Sequence, residues 1–74
     1  MKVKELMKVV HLYDGQETIV KDVETKEIFR TNGRYDFDKS VEDRVLDMKV
    51  NTFNISDSVL LIYARATRKR VNDD

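Results

Sequence analysis

Residues 59–63 read VLLIY. With Ala64, which follows them, they form the only uninterrupted block of five or more apolar residues in the chain. Their β-branched and aromatic side chains predict a strand that is apolar on both faces, because neighbouring residues in a strand point to opposite sides. Residues 48–55 precede this block and predict a second strand, and Ser56-Asp57-Ser58 between them has turn chemistry. We therefore expect a hairpin whose second arm is buried, with the other elements packed around it.

Length and composition limit the class of protein. A chain of 74 residues forms one domain and buries only about 60% of the surface that its unfolded state exposes. Cysteine is absent, which excludes disulfides and thiolate chemistry and favours a reducing compartment. No apolar run approaches the roughly 18 residues that a membrane span needs, and the N-terminus lacks signal-peptide features. The sequence predicts a cytoplasmic protein with no membrane partner.

The charge balance argues against two further classes of protein. Fourteen basic and fourteen acidic residues give a formal net charge of zero. This balance argues against a general phosphate-binding surface and against a polyacidic mimic of DNA. Because 41% of the residues are hydrophobic and periodic in their spacing, the chain does not have the composition of a disordered protein. We expect a small core under a densely charged surface of mixed sign.

The first part of the chain predicts one helix and two strands. Apolar residues at positions 3, 6, 7 and 10 have the spacing of one helical face, so a helix of two to three turns is expected to end at Asp14-Gly15. Residues 17–23 and 27–31 are rich in β-branched residues and predict two strands joined by a tight turn. Asn32-Gly33 then ends the second strand.

The remaining segments complete an α+β domain. Residues 36–47 predict a short second helix, with Asp38 or Ser40 as its cap. The element order is therefore α-β-β-α-β-β over residues 1–66, with the N-terminal helix packed on a four-stranded, mainly antiparallel sheet. Residues 67–74 are expected to form a mobile charged tail. Since the last strand is apolar on both faces, we expect the second helix or another copy of the protein to cover the face that the first helix leaves open.

Several segments resemble those of short, mostly uncharacterised proteins from Gram-positive bacteria, their phages and their mobile elements. The likeness covers most of residues 3 to 64. It includes VKELM at residues 3–7, the hairpin turn DVETKE at residues 22–27, a short acidic helix ending near residues 46–47, and the VLLIY strand. Two residues depart from the pattern: Lys2 stands where a capping Thr is common, and Lys26 replaces a turn Gly.

This resemblance implies a genomic setting of phage or mobile DNA. Small proteins in that setting often bind and inhibit a host protein, and anti-CRISPR inhibitors are one example. The resemblance therefore implies an anti-defence role, but it transfers no functional residue to this chain.

Two groups of residues are candidates for binding. Arg65, Arg68, Lys69 and Arg70 place four cations within six residues, which could grip a phosphate backbone or an acidic protein surface. The alternative interpretation is a solvated tail that aids solubility. Arg34, Tyr35 and Phe37 combine a cation with aromatic residues in a predicted loop, a composition favoured at binding hot spots; alternatively, the two aromatic residues close the end of the core.

No motif for catalysis, a metal or a cofactor is present. His11 is the sole histidine and has no identified carboxylate or serine partner, so it does not qualify as a general base. The acidic residues lack the spacing of a calcium loop, and the two glycines are isolated turn residues.

We therefore expect a non-enzymatic protein-interaction module without a cofactor. Self-association through an exposed sheet face or edge is expected, and a host defence protein such as a CRISPR effector is a candidate partner. Two alternatives remain open: a nucleic-acid-binding accessory protein that uses the basic C-terminal segment, and a structural subunit of a phage or conjugation assembly.

Overall fold

The structure, a computed structural model, describes residues 1–10, 12, 16–56 and 58–67. In chain order its elements are α1 (Val3–Val9), β1 (Glu17–Asp22), β2 (Ile28–Asn32), α2 (Gly33–Ser40), α3 (Asp43–Leu46), β3 (Lys49–Ile55) and β4 (Val59–Arg65). The four strands form one sheet in the order β2-β1-β4-β3. The predicted α+β class and four-stranded sheet are confirmed.

The sheet is mixed. β1 pairs antiparallel with β2, and β3 pairs antiparallel with β4, while β1 and β4 run parallel in the centre. The mainly antiparallel description therefore holds for two of the three pairings. The parallel pairing arises because α2 and α3 carry the chain from one edge strand, β2, to the other, β3, so that β4 returns beside β1 in the same direction.

The VLLIY block lies in β4, a central strand, and divides its side chains between two faces. Leu60, Ile62 and the following Ala64 are each 0% exposed, whereas Leu61 and Tyr63 are half-buried on the opposite face. This alternation is the period of two that a strand imposes. The predicted buried hairpin arm is confirmed.

All three helices cover the same face of the sheet. One core cluster contains the buried residues of the strands together with side chains from each helix: Val3, Leu6 and Met7 from α1, Phe37 from α2 and Val45 from α3. Among the described residues, no helix contributes to the opposite face. The second helix therefore does not provide the cover predicted there, and this face is called the uncovered face below.

The predicted second helix is two helices. α2 begins directly after Asn32, where Gly33 adopts a φ of 82° that a residue with a Cβ rarely takes. Val41 and Glu42 then have extended backbones with ψ of 137° and 153°, which separates α2 from α3. The prediction of Asp38 or Ser40 as the cap is therefore wrong, because both residues lie in the last turn of α2.

α1 is two turns long, as its spacing predicts, but it ends early. Its first turn is held by the Glu5 carboxylate, which accepts the backbone N–H of Lys2 at 2.7 Å. This hydrogen bond lowers the pKa of Glu5. Val10 already has an extended backbone, so the predicted end at Asp14-Gly15, which lies outside the described residues, is too late.

The turn between β1 and β2 is organised by Asp22. Its Oδ1 accepts backbone N–H groups from Thr25 at 3.1 Å and Glu24 at 2.8 Å, and these two bonds lower the pKa of the carboxyl. Lys26 completes the turn with a φ of 69°, the one positive φ among the described residues other than glycine. Lys26, one of the two residues that depart from the resemblance, is thus in a left-handed conformation.

Replacing Lys26 by Gly should stabilise the protein by about 0.5 to 1 kcal/mol, because glycine adopts positive φ without the clash of a Cβ. The gain is partial, since glycine also increases the entropy of the unfolded chain. Urea unfolding measures the difference. Lys26→Ala is the control, because it removes the charge and keeps the Cβ; equal stability of the two variants would contradict this explanation.

Candidate functional site

The predicted cluster of Arg34, Tyr35 and Phe37 lies on α2 and does not form one surface. Phe37 is 1% exposed and packs edge-on against Phe29 with ring centroids 6.1 Å apart. Its side chain belongs to the core, as the alternative interpretation has it. Tyr35 is 77% exposed, with the Lys39 ammonium 5.9 Å from its ring centroid. Tyr35 is therefore the one aromatic residue of this group that a partner can reach.

Arg34 connects α2 to the end of α1. Its Nη1 donates to the carbonyl oxygens of Met7 at 2.8 Å and Val10 at 3.4 Å, and its Nε donates to the Asp38 carboxylate at 3.1 Å. The last carbonyls of a helix have no partner within the helix, so a cation placed there satisfies them and opposes the helix dipole. Arg34 thus has a structural role between two helices.

The predicted basic cluster is divided. Arg65 is the last residue of β4 and is exposed. Arg68, Lys69 and Arg70 lie outside the described residues, as does His11. Thr67, the first residue of the predicted tail, donates its hydroxyl to the Asp47 carbonyl at 2.7 Å.

The outer edge of β3 is covered at its start. Lys2 forms an antiparallel bridge with Lys49, the Val3 N–H donates to the Met48 carbonyl at 2.9 Å, and the Val50 N–H donates to the Met1 carbonyl at 2.8 Å. A shift in register between Val50 and Thr52 follows immediately. The N-terminal segment therefore pairs with β3 only as far as this irregularity.

Beyond it, no described residue pairs with the outer edge of β3. The Ser56 N–H donates to the Val59 carbonyl at 2.8 Å, which makes these residues a hydrogen-bonded pair next to the turn. Hydrogen-bonded pairs alternate along an antiparallel ladder, so Asn54 and Thr52 bond to β4 while the backbone groups of Phe53 and Ile55 point outward. Two consecutive outward positions are thus available to another strand.

The side chains at these two positions are apolar and exposed. Phe53 pairs with Ile62 and Ile55 pairs with Leu60, so both lie on the helix-covered face of the sheet, at its margin. Phe53 is 44% exposed and Ile55 is 51% exposed. We call Phe53, Ile55 and their outward backbone groups the open edge.

The uncovered face carries a second surface, which is charged. The register places four cations on its strands, Lys21, Arg30, Lys49 and Arg65, with a single acid, Glu17. Glu17 is bound to Arg30 at 3.0 Å. Among the described residues, Lys21, Lys49 and Arg65 form no ion pair.

A cavity of about 190 Å³ lies between the helix-covered face and the β1–β2 turn. Its lining includes Val20, Phe29 and Met48 together with the charged side chain of Arg44. Arg44 donates to Glu42 at 2.6 Å and lies 3.7 Å from Glu27, and these carboxylates raise the pKa of Arg44. The cavity is smaller than the 300 to 1,000 Å³ or so of usual ligand sites, so the surfaces offer the better candidates.

Sequence reasoning missed both surfaces. Phe53 and Ile55 are two residues apart, the spacing of one strand face, but which edge of the sheet β3 would occupy depends on the pairing of distant strands. Lys49 and Arg65 are 16 positions apart, and only the β3–β4 register brings them together. A ladder continued from the turn without the shift between Val50 and Thr52 would pair Lys49 with Ala66, so no local signal in the sequence identifies the Lys49–Arg65 pair.

Replacing Arg34 by Gln should lower the free energy of unfolding by roughly 1 to 2 kcal/mol, because it removes charge-assisted bonds to the end of α1. Urea unfolding measures the loss. Arg30→Gln is the matched control: Arg30 bonds to Glu17 on the surface, and exposed pairs contribute about 0 to 1 kcal/mol. Equal losses in the two variants would refute the helix-linking role.

Among the described residues, no group of three or more His, Cys, Asp or Glu side chains could hold a metal ion. No helix in the described part of the chain has both the length and the apolar character that crossing a membrane requires. Comparison of the chain with protein-family models, with curated proteins and with solved structures gave no match.

Proposed function

We propose that this protein is a non-enzymatic protein-interaction module that binds by adding a partner strand to the open edge. The observation that carries the proposal is the coincidence, at Phe53 and Ile55, of exposed apolar side chains with outward backbone groups that no described residue pairs with. In strand addition, main-chain hydrogen bonds supply affinity and alternating side chains supply specificity. The open edge offers both kinds of contact.

The lack of edge protection from the described residues supports this use. Edge strands are normally guarded by charged residues, proline, bulges or covering segments, because unguarded edges pair with other chains. In β3 such devices occupy only the first half, where Lys49, the register shift and the N-terminal segment lie. Residues 52–55 read TFNI and contain no charge and no proline. The unguarded half is therefore suited to a partner strand.

A second copy of the chain is one partner that fits. Antiparallel pairing of two β3 strands about Asn54 would place Phe53 of each copy opposite Ile55 of the other copy. The Phe53–Ile55 pair would therefore form twice. Both residues have outward backbone groups, so this register forms hydrogen-bonded pairs and brings four apolar side chains together. The segment is uncharged, so two copies do not repel each other along it.

A foreign protein with an exposed extended segment is the other partner that fits the same edge. The resemblance to short phage and mobile-element proteins supports a host defence protein, such as a CRISPR effector, and hence action in the bacterial cytoplasm. The open edge would then act by capturing a strand or loop of that protein.

Ile55→Lys should abolish binding, because an edge lysine opposes strand addition and removes an apolar contact. The protein, immobilised and treated with nuclease, is exposed to a lysate of Gram-positive bacteria, and the wild-type and variant captures are compared. Sedimentation of the free protein reports self-association in parallel.

Val9→Lys is the matched control. Val9 is 77% exposed on α1, so this variant makes a similar apolar-to-lysine change away from the sheet edge. We expect the control to retain both the captured protein and any self-association. A wild-type protein that captures nothing and stays monomeric, or a capture unaffected by Ile55→Lys, would defeat the proposal.

A further inference from the structure

The uncovered face of the sheet carries a concentration of positive charge at one end. Lys49 pairs with Arg65 across the β3–β4 ladder, and Lys2 pairs with Lys49 from the other side, so three cations form a row. Lys21 lies in the next row, opposite Tyr63. Neighbouring strands are about 4.8 Å apart, so these side chains form one patch. We call Lys2, Lys21, Lys49 and Arg65, with Tyr63, the cationic patch.

This patch has an excess of charge that the composition conceals. The chain has a formal net charge of zero, and five of its fourteen acids, Asp36, Asp38, Glu42, Asp43 and Asp47, lie in and around α2 and α3. Glu24 lines a surface hollow together with Lys49 and Arg65, so the four cations of the patch have two acids beside them, Glu24 and Asp47. Lys2 approaches Asp47 at 4.0 Å, and the other three cations have no ion pair among the described residues. Such local excess attracts an anionic partner even when the whole chain is neutral.

Tyr63 indicates which anionic partner the patch fits. It lies in a central strand between Lys21 on β1 and Thr52 on β3, with Arg65 two residues further along β4, and its ring is half-buried on the face that no described helix covers. A ring held in this way on a sheet offers a surface on which an unpaired base can stack, while surrounding cations contact the phosphates. A flat sheet face with a central aromatic ring fits a single strand better than the groove of a duplex.

We propose that the cationic patch binds single-stranded nucleic acid without strong sequence preference. Lys49 and Arg65 contact phosphates, Lys2 and Lys21 extend the electrostatic field, and Tyr63 stacks on a base. This site is separate from the open edge, whose side chains lie on the helix-covered face. It shares Arg65 with the predicted basic cluster but does not include Arg68, Lys69 or Arg70.

The test is fluorescence anisotropy of a labelled oligothymidylate of about 16 nucleotides, titrated with the full chain at several salt concentrations. The wild type should bind, and the logarithm of its association constant should fall linearly with the logarithm of the salt concentration. Lys49→Gln with Arg65→Gln should weaken binding about 10-fold or more and reduce the salt slope by about 1.4, since each single-strand phosphate contact contributes about 0.7.

Lys8→Gln with Lys39→Gln is the matched control, because it removes the same charge from exposed positions on α1 and α2. It should change the affinity less than about 2-fold. Tyr63→Leu should weaken binding by about 5-fold or more through the loss of stacking. Thermal melting followed by circular dichroism verifies that each variant is folded.

Three results would overturn the proposal: equal weakening by the two double variants, loss of binding only when Arg68, Lys69 and Arg70 are all changed to Gln, or binding of polyglutamate as tight as that of the oligonucleotide. Ile55→Lys should not weaken oligonucleotide binding. A failure of the strand-addition proposal at the open edge can therefore be distinguished from a failure of the nucleic-acid proposal at the cationic patch.

Discussion

The parallel pairing of β1 with β4 is the constraint on which the rest of the structure depends. It places Val20 beside Ile62 and Thr18 beside Leu60, so the most apolar segment of the chain lies in the middle of the sheet. A parallel pair needs a crossover connection, and α2 and α3 belong to it. Because the crossover lies on the side that α1 also covers, all helical packing is directed to one face.

Because the helices pack on one face of the sheet, their extent determines which parts of the sheet stay exposed. Three short helices bury Leu60, Ile62 and Ala64 completely but do not extend to Phe53 and Ile55 at the margin of β3. The same packing leaves the opposite face without a second layer among the described residues, and the strands present four cations and one acid on it. A chain of this size thus presents an apolar edge on one side and a positive face on the other. The two proposed binding sites use these two surfaces.

The sequence predicted features that depend on neighbours along the chain. The spacing of α1, the alternation of β4 and the end of β2 at Asn32-Gly33 are local, and each is present in the structure. Features that depend on distant residues could not be obtained in this way. Arg34 bonds to carbonyls 27 and 24 residues away, and only that contact shows it to be structural. The division of the second helix at Val41 and the parallel register of β1 and β4 likewise depend on tertiary packing.

Residue-resolved amide hydrogen exchange along β3 tests the central claim most directly, because exchange reports which backbone groups are bonded. In dilute protein the N–H groups of Thr52 and Asn54 should exchange slowly, since they bond to β4, while those of Phe53 and Ile55 exchange quickly. Slow exchange at Phe53 and Ile55 should appear only when a partner, or a second copy at higher concentration, is bound. Uniform protection along β3 in the dilute monomer would contradict the open edge.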